Sequence, residues 1–352
     1  MNEKIVAGRK KLVNKYMGQL LNAPPKYRPG IFWQKACSDI ALNYVKNGIR
    51  DFRCDELNLK FFVPTFGPPS NGFSDEEVDK ILQSNKKFLN QKQILHLKKS
   101  LLGTYHAIAN YSVFKASTSK ANRLGIKNFS ESRVGNPKEQ ITIESKFYSR
   151  SALNYLLGLS FFEEIVPDFV PNTILEIGGG FGTLAEILAQ TDLDYRYIDL
   201  DIPPMFLIAE DYLRACLQTD ALFFKREIRD KSMINIKNLP KYSFLPNWEI
   251  ENLVGEIDLF VNFISFQEME PQIVKNYAEK VTGLDAKYLM LRNLKEGKQV
   301  IKKETIGVKC PIKSSDYVSY FSSYKLIAKN LIPYGFETAD GFNSEILLFE
   351  KK

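Results

Sequence analysis

Residues able to do chemistry concentrate in two short stretches. The first reads Ile174-Leu175-Glu176-Ile177-Gly178-Gly179-Gly180-Phe181-Gly182, an apolar segment entering glycines at 178, 180 and 182 in the pattern ExGxGxG, with Gly179 between them. Glycine in such a turn lets a ligand approach backbone where any Cβ would collide, and amide N–H groups at the start of a following helix can meet an anionic group. About twenty residues on, the next apolar run ends in Asp199-Leu200-Asp201-Ile202-Pro203-Pro204, where a carboxylate can accept both hydroxyls of a ribose. Asp201 is the first choice and Asp199 the alternative, because pattern reading fixes a strand end only to within a residue or two. A glycine triplet alone is a weak signal, since a plain strand-to-helix turn uses the same residues; the acid at this distance strengthens it.

The spacing also speaks to the kind of cofactor. Dinucleotide sites use GxGxxG, whereas here Thr183 follows Gly182 and the pattern is GxGxG. That favours S-adenosylmethionine, its carboxypropyl and sulfonium end lying across the glycines and Glu176 receiving its ammonium group. A nicotinamide- or flavin-dependent oxidoreductase acting on a nucleotide sugar is the alternative.

The second stretch, Ser265-Phe266-Gln267-Glu268-Met269-Glu270, follows the apolar run 257–264, so its polar groups sit at the carboxyl end of a strand, the edge where open α/β sheets bind ligands. Ser265 is expected beside the cofactor. A sugar hydroxyl is a poor nucleophile near neutral pH and needs a base or a metal. Glu268 is the candidate base, against the plainer reading of an acid at a helix start as a cap. Gln267 and Glu270 are candidate substrate contacts, and Asn262 carries the same two readings. Whether a divalent metal assists through Glu268 or Glu270 stays open. The two histidines are His96 and His106; His106 can reach the cleft if its helix folds over it, although a packed helix histidine is the commoner case. Tyr317, Tyr320, Phe321 and Tyr324 recur at helical spacing and offer faces for stacking on a sugar, or ordinary helix packing.

These groups need elements to position them. Helical spacing runs over 3–22 and about 32–47; 57–64 reads as extended; Ser74 with Glu77 fits a capping box; a further helix runs from roughly 91 to 111. Residues 112–146 read as irregular, placing a boundary near 140 between a mainly helical unit (1–140) that covers substrate or oligomerises and a second unit (141–352). There a helix over 149–166 precedes strand 174–178, helix 182–190, strand 195–200, helix 204–217, strands at about 221–228 and 257–264, helix 271–282 and strand 287–293. Alternation of this kind predicts a doubly wound parallel sheet. A helix at about 316–330 and two short strands, 336–339 and 345–350, finish the chain as a hairpin on the sheet's edge.

At 352 residues, 44% hydrophobic and 25% charged, the composition is that of a globular protein of two packed units. No apolar stretch of membrane-spanning length or secretory signal is seen, so a cytoplasmic location is expected. Four scattered cysteines suggest neither a disulfide framework nor a zinc site. The net charge of +7 gathers early, from Lys4, Arg9, Lys10 and Lys11 to Lys46 and Arg50. It suits an anionic partner: a nucleotide-linked or lipid-linked sugar, an anionic membrane surface, or, least expected, nucleic acid. A solvated basic face explains it equally well. A non-catalytic, nucleic-acid-binding chain and a homo-oligomer also stay open.

With these residues in hand, the chain resembles the sugar O-methyltransferase family of class I S-adenosylmethionine-dependent methyltransferases. The matching segments are Gly135-Asn136-Pro137, Glu176 through Gly182, Asp201 through Met205, and Ser265 through Met269, in order over roughly residues 130–350. The chain has DIPP where the family pattern has DLPP. The resemblance implies a Rossmann-like class I methyltransferase sheet, mostly parallel with a C-terminal antiparallel hairpin, and methylation of a sugar hydroxyl in surface-polysaccharide (capsule or O-antigen) assembly.

Overall fold

A computed structural model describes residues 3–62, 75–223, 233–301, 307–337 and 342–352. The chain opens with helices α1 (Glu3–Asn22), α2 (Ile31–Asn47), α3 (Glu56–Phe62), α4 (Asp75–Asn85), α5 (Gln91–Leu101) and α6 (Thr104–Lys120), then a small hairpin of β1 (Ile141–Ile143) and β2 (Lys146–Tyr148). Helix α7 (Arg150–Ile165) leads into β3 (Thr173–Ile177), α8 (Thr183–Ala189), β4 (Arg196–Asp201) and α9 (Met205–Leu217). Next come β5 (Ile234–Asn235), β6 (Tyr242–Pro246), β7 (Leu253–Val254), β8 (Leu259–Phe263), α10 (Pro271–Gly283) and β9 (Tyr288–Leu294). The last elements are α11 (Ser314–Tyr320), β10 (Tyr324–Asn330), β11 (Phe336–Glu337) and β12 (Asn343–Lys351).

The main sheet has the order β10-β12-β9-β8-β3-β4-β6, with β11 pairing on β12. Neighbours from β9 through β6 are parallel, and β12 runs antiparallel to both β9 and β10. This is the mostly parallel, Rossmann-like sheet with an antiparallel C-terminal addition that the sequence implied. Every residue of β3 and β8 is buried, because helices cover both faces and so permit near-continuous apolar runs. Side chains alternate between two cores: Ile174 packs on the side of α7, α8 and α9, while Leu175 and Ile177 pack on the side of α10 and α11. Glu176 lies in register with Asp199, so both carboxylates point to the α7 side.

Helix α7 is buried from Arg150 through Glu163. Ser149 caps it by accepting the Ala152 N–H (3.0 Å). Gly158 lets it lie on β8, since a Cβ there would stand 2.3 Å from Phe263 Cζ. The N-terminal helices join the same core: Tyr16 packs edge-on against Phe206 of α9 (5.0 Å), and the Tyr44 hydroxyl donates to Asp211.

Several expected elements are corrected. Residues 56–62 are helical, not extended; the Asp55 carboxylate accepts the Asn58 N–H (3.2 Å) as a cap and Leu59 is buried, which outweighs the strand preference of the aromatic pair. The helix expected over 91–111 breaks at Gly103 (φ +67°), and α6 runs on to Lys120 through residues that read as irregular. There the hydroxyls of Ser117 and Thr118 donate to the carbonyls of Val113 (3.0 Å) and Phe114 (2.9 Å), which hides their polarity inside the helix. Strand β6 lies beside β4; of the strand expected at about 221–228 only 221–223 are described, where Phe223 makes a single bridge to Tyr242, and 224–228 lie outside the described residues. The helix expected over 316–330 stops at Tyr320, and 324–330 becomes β10 because β12 offers it a partner. The expected C-terminal hairpin forms between β11 and β12 (Phe336 opposite Ser344, Glu337 opposite Asn343), but β12 lies inside the sheet between β9 and β10, and β10 takes the border. Ser74 of the expected capping box, and residues 338–341 of the final turn, lie outside the described residues.

Candidate active site

A cleft opens at the carboxyl ends of β3, β4 and β8. The glycine turn forms its floor, Asp201, Ile202 and Asn247 one end, and Ile264, Ser265 and Glu268 the other. Trp33 of α2 and Phe61 of α3 close it from above, their rings 5.5 Å apart.

The turn is built for close approach. Gly178, Gly180 and Gly182 have φ of +77°, +63° and +96°, a region that L side chains rarely adopt. A Cβ on Gly178 would meet Ser265 Oγ at 2.3 Å, and one on Gly179 would meet Asp199 Oδ1 at 2.7 Å. Ser265 Oγ donates to the Ile177 carbonyl (2.9 Å), which the Asn262 amide also reaches (2.9 Å), so the ends of β3 and β8 are pinned together. Between β8 and this serine stands Ile264 at φ +72°, a strained position for a β-branched residue and one that lines the cleft.

Three carboxylates sit under and beside the turn. Asp199 Oδ1 accepts the Gly179 N–H (3.1 Å); Asp201 accepts the N–H groups of Gly180 (3.2 Å) and Ile202 (2.7 Å). Glu176 is fully buried, with its oxygens accepting from the hydroxyls of Tyr155 (2.7 Å) and Tyr197 (2.5 Å). Burial pushes Glu176 up to about 7 against the relief of its tyrosine hydrogen bonds, and burial likewise raises Asp201 to about 7. Asp199 is raised well above the carboxylate range by burial, then by Asp201 and Glu176. Its Oδ2 has no hydrogen-bond partner. The site is thus rich in carboxyl groups and hydrogen-bond acceptors, and the Gly179 and Gly180 amides are already taken by two of them.

Glu268 faces the cleft with both oxygens held: Lys298 Nζ donates to Oε1 (2.6 Å) and Trp33 Nε1 to Oε2 (2.9 Å). Helix α2 comes close on this side, where Gly30 leaves only 3.5 Å between its would-be Cβ and the Glu268 carbonyl. Deeper in α2, burial and the nearby Asp201 carboxylate push the Cys37 thiol up to about 12.

The structure therefore brings together Gly178, Gly179, Gly180, Asp201, Ser265 and Glu268 around the cleft, with Gly182 capping α8 and Asp199 just behind Gly179. Other expected roles are corrected. Glu176 is beneath the turn, engaged by two tyrosines, and does not line the cleft where an ammonium would lie. Gln267 is a clip: its Oε1 accepts the Leu294 N–H (2.7 Å) and its own N–H goes to Asn293 (3.1 Å). Glu270 accepts from the backbone of Lys309 (2.9 Å) and Cys310 (3.2 Å), so it and Glu268 do not converge on a metal; among the described residues no group of three potential ligands does. Tyr317 is buried in the α10-side core, and Tyr320 packs there under Lys275, both away from the cleft. His106 is exposed on α6 and outside the cleft; partial burial and the Arg150 guanidinium lower its pKa.

Trp33, Lys298, Tyr155 and Asn154 are site residues that the sequence did not signal. Trp33 is one of two tryptophans, the best available hint, but its partner lies 235 positions away.

No family model matches the chain, and no curated protein sequence does. Solved structures similar to it include magnesium protoporphyrin IX methyltransferase from Synechocystis with bound SAM, at 14% identity over 58% of this chain and 81% of that one, TM-score 0.38. The same enzyme with bound SAH gives 12% identity over 70% and 99%, TM-score 0.40. A methyltransferase from Clostridium acetobutylicum gives 12% over 55% and 90%, TM-score 0.36. Likeness at this level adds nothing to the strand order described above. Among the described residues no helix is long and apolar enough to cross a membrane.

Proposed function

We propose that the chain is a class I methyltransferase that uses S-adenosylmethionine to methylate a sugar hydroxyl. The observation that carries the cofactor is the set of three carboxyl groups under and beside the glycine turn. In a dinucleotide site the glycine-loop amides and helix start receive a pyrophosphate. Here the Gly179 and Gly180 amides donate to Asp199 and Asp201. A pyrophosphate would find the Gly179 and Gly180 amides already taken and carboxyl groups beside them, whereas ribose hydroxyls and a cationic sulfonium with its ammonium supply the donors and positive charge that suit such a site. Asp201 at the β4 end fits the ribose, and Gly178 and Gly180 leave room across the turn.

When bound, S-adenosylmethionine supplies the activated methyl group. The chain's own task is to hold the acceptor oxygen in line and to take its proton, and Glu268 is the carboxylate at the acceptor end. Trp33 and Lys298 fix its two oxygens, and the aromatic roof of Trp33 and Phe61 keeps water out. The sugar as acceptor, and a place in surface-polysaccharide assembly, rest on the family resemblance, above all on Ser265 through Met269.

Thermal-shift titration separates this from the oxidoreductase reading. At a hundredfold excess over its Kd, S-adenosylhomocysteine adds about 2.7 kcal/mol to stability and raises Tm by several degrees. NAD leaves Tm unchanged. Stabilisation by NAD alone overturns the proposal.

A further inference from the structure

Asn154 is 2% exposed, lines the cleft, and has neither its Oδ1 nor its Nδ2 hydrogen-bonded. Leaving both ends of a buried amide unsatisfied is costly unless something else completes them. The residue is not free to turn away. Its carbonyl accepts from the buried Arg292 guanidinium (2.6 Å), and its neighbour Tyr155 stacks on Phe263 (4.7 Å, 12°) while donating to Glu176. Ser151, one helical turn earlier, lines the same wall.

The strand order fixes which part of a ligand meets this wall. With β3 in the middle, Asp201 stands over β4 on one side and Ile264 over β8 on the other, and α7 lies against β8. A nucleoside held through its ribose at Asp201 sends its 5′ substituent across the glycine turn toward β8 and Asn154. We infer that Asn154 reads a zwitterionic α-amino-acid group there, Oδ1 accepting from the ammonium and Nδ2 donating to the carboxylate. The inference rests on the nucleoside reading above. It gives the ammonium a partner that Glu176, occupied by two tyrosines, does not offer, and it makes the site selective for the intact amino acid over its decarboxylated form.

Calorimetric titration tests it with three probes: S-adenosylhomocysteine, 5′-deoxy-5′-methylthioadenosine, which lacks the amino acid, and decarboxylated S-adenosylhomocysteine. The unaltered protein binds S-adenosylhomocysteine about ten- to a hundredfold tighter than methylthioadenosine, the worth of one or two hydrogen bonds to charged groups. Asn154→Leu removes that advantage and leaves methylthioadenosine within about twofold. Asn154→Asp keeps an acceptor and loses the donor, so the preference for the carboxylate-bearing ligand over the decarboxylated one reverses. Since Asn154→Leu removes two unsatisfied buried groups, its unliganded Tm does not fall. Equal loss of both nucleosides in Asn154→Leu, or no loss, overturns the inference, as does an unaltered protein that binds the two equally. An unaltered protein that binds none of the three overturns the nucleoside reading itself.

Discussion

Asp199, Asp201 and Glu176 share a small buried volume with no cationic partner among the described residues, and this gives the unliganded protein a pH signature. Glu176 and Asp201 stand near 7 against ordinary values of 4.5 and 3.8, so the folded chain binds more protons than the unfolded one between those limits. Stability then falls as pH rises through that window, since the slope follows the unfolded minus the folded proton count. The expected outcome is an unliganded Tm that drops from about pH 5 to about pH 8, measured by calorimetry, with Asp201→Asn flattening the drop. A cationic ligand should reverse part of it, so the Tm rise on adding S-adenosylmethionine is larger at the higher pH. A drop of the same size in Asp201→Asn would remove Asp201 as its source. The position of Asp201 at the end of β4 beside the cleft was legible because an acid at a strand end is a local pattern. The burial of Glu176 beneath the turn was not legible because its two tyrosine partners, one on α7 and one on β4, are decided by register and not by spacing.

The elbow after β8 and the turn after β3 act as one unit. Gly178 and Ser265 occupy adjoining space so closely that a methyl on the first collides with the second, and Gly178 is also held at a positive φ. Gly178→Ala is expected to cost at least about 2 kcal/mol and to weaken S-adenosylhomocysteine binding. Adding Ser265→Gly removes the collision but not the φ penalty, so a double-mutant cycle by denaturant titration should return part of the loss. Strict additivity would show that the two strand ends do not meet. The strands and helices of 149–217 and 257–294 were readable because buried parallel strands are apolar runs bounded by glycine and proline. What the pattern missed was decided elsewhere in the chain. Residues 324–330 look helical and become a strand because β12 is there to pair with, and of 57–64, which look extended, the described part up to Phe62 is a helix because Asp55 caps it.

The N-terminal helices and the sheet share one apolar core, in which Val13, Tyr16 and Ile40 pack with Phe206 and Leu207, and Trp33 reaches across to Glu268. Unfolding should therefore be one transition when followed at either end. The two tryptophans report separately: with Trp248→Phe the fluorescence comes from Trp33 on α2, and with Trp33→Phe from Trp248 beside β6. Midpoints in urea, each compared with the circular dichroism of the same variant, are expected to coincide. A Trp33 signal that melts earlier would make α2 a detachable cover. Composition and charge said little at this level, because the basic residues near the start do not reveal which helix face is turned inward.

The placement of β12 has a consequence for how the chain comes to be folded in a cell. Strands β9 and β10 both precede in the chain the strand that joins them, so a copy lacking Asn343–Lys351 would leave each with an unpaired border of N–H and C=O groups. Open strand borders recruit other chains. A stalled or prematurely terminated copy would expose this gap permanently, which makes such copies natural clients for chaperones and, failing those, seeds of aggregation.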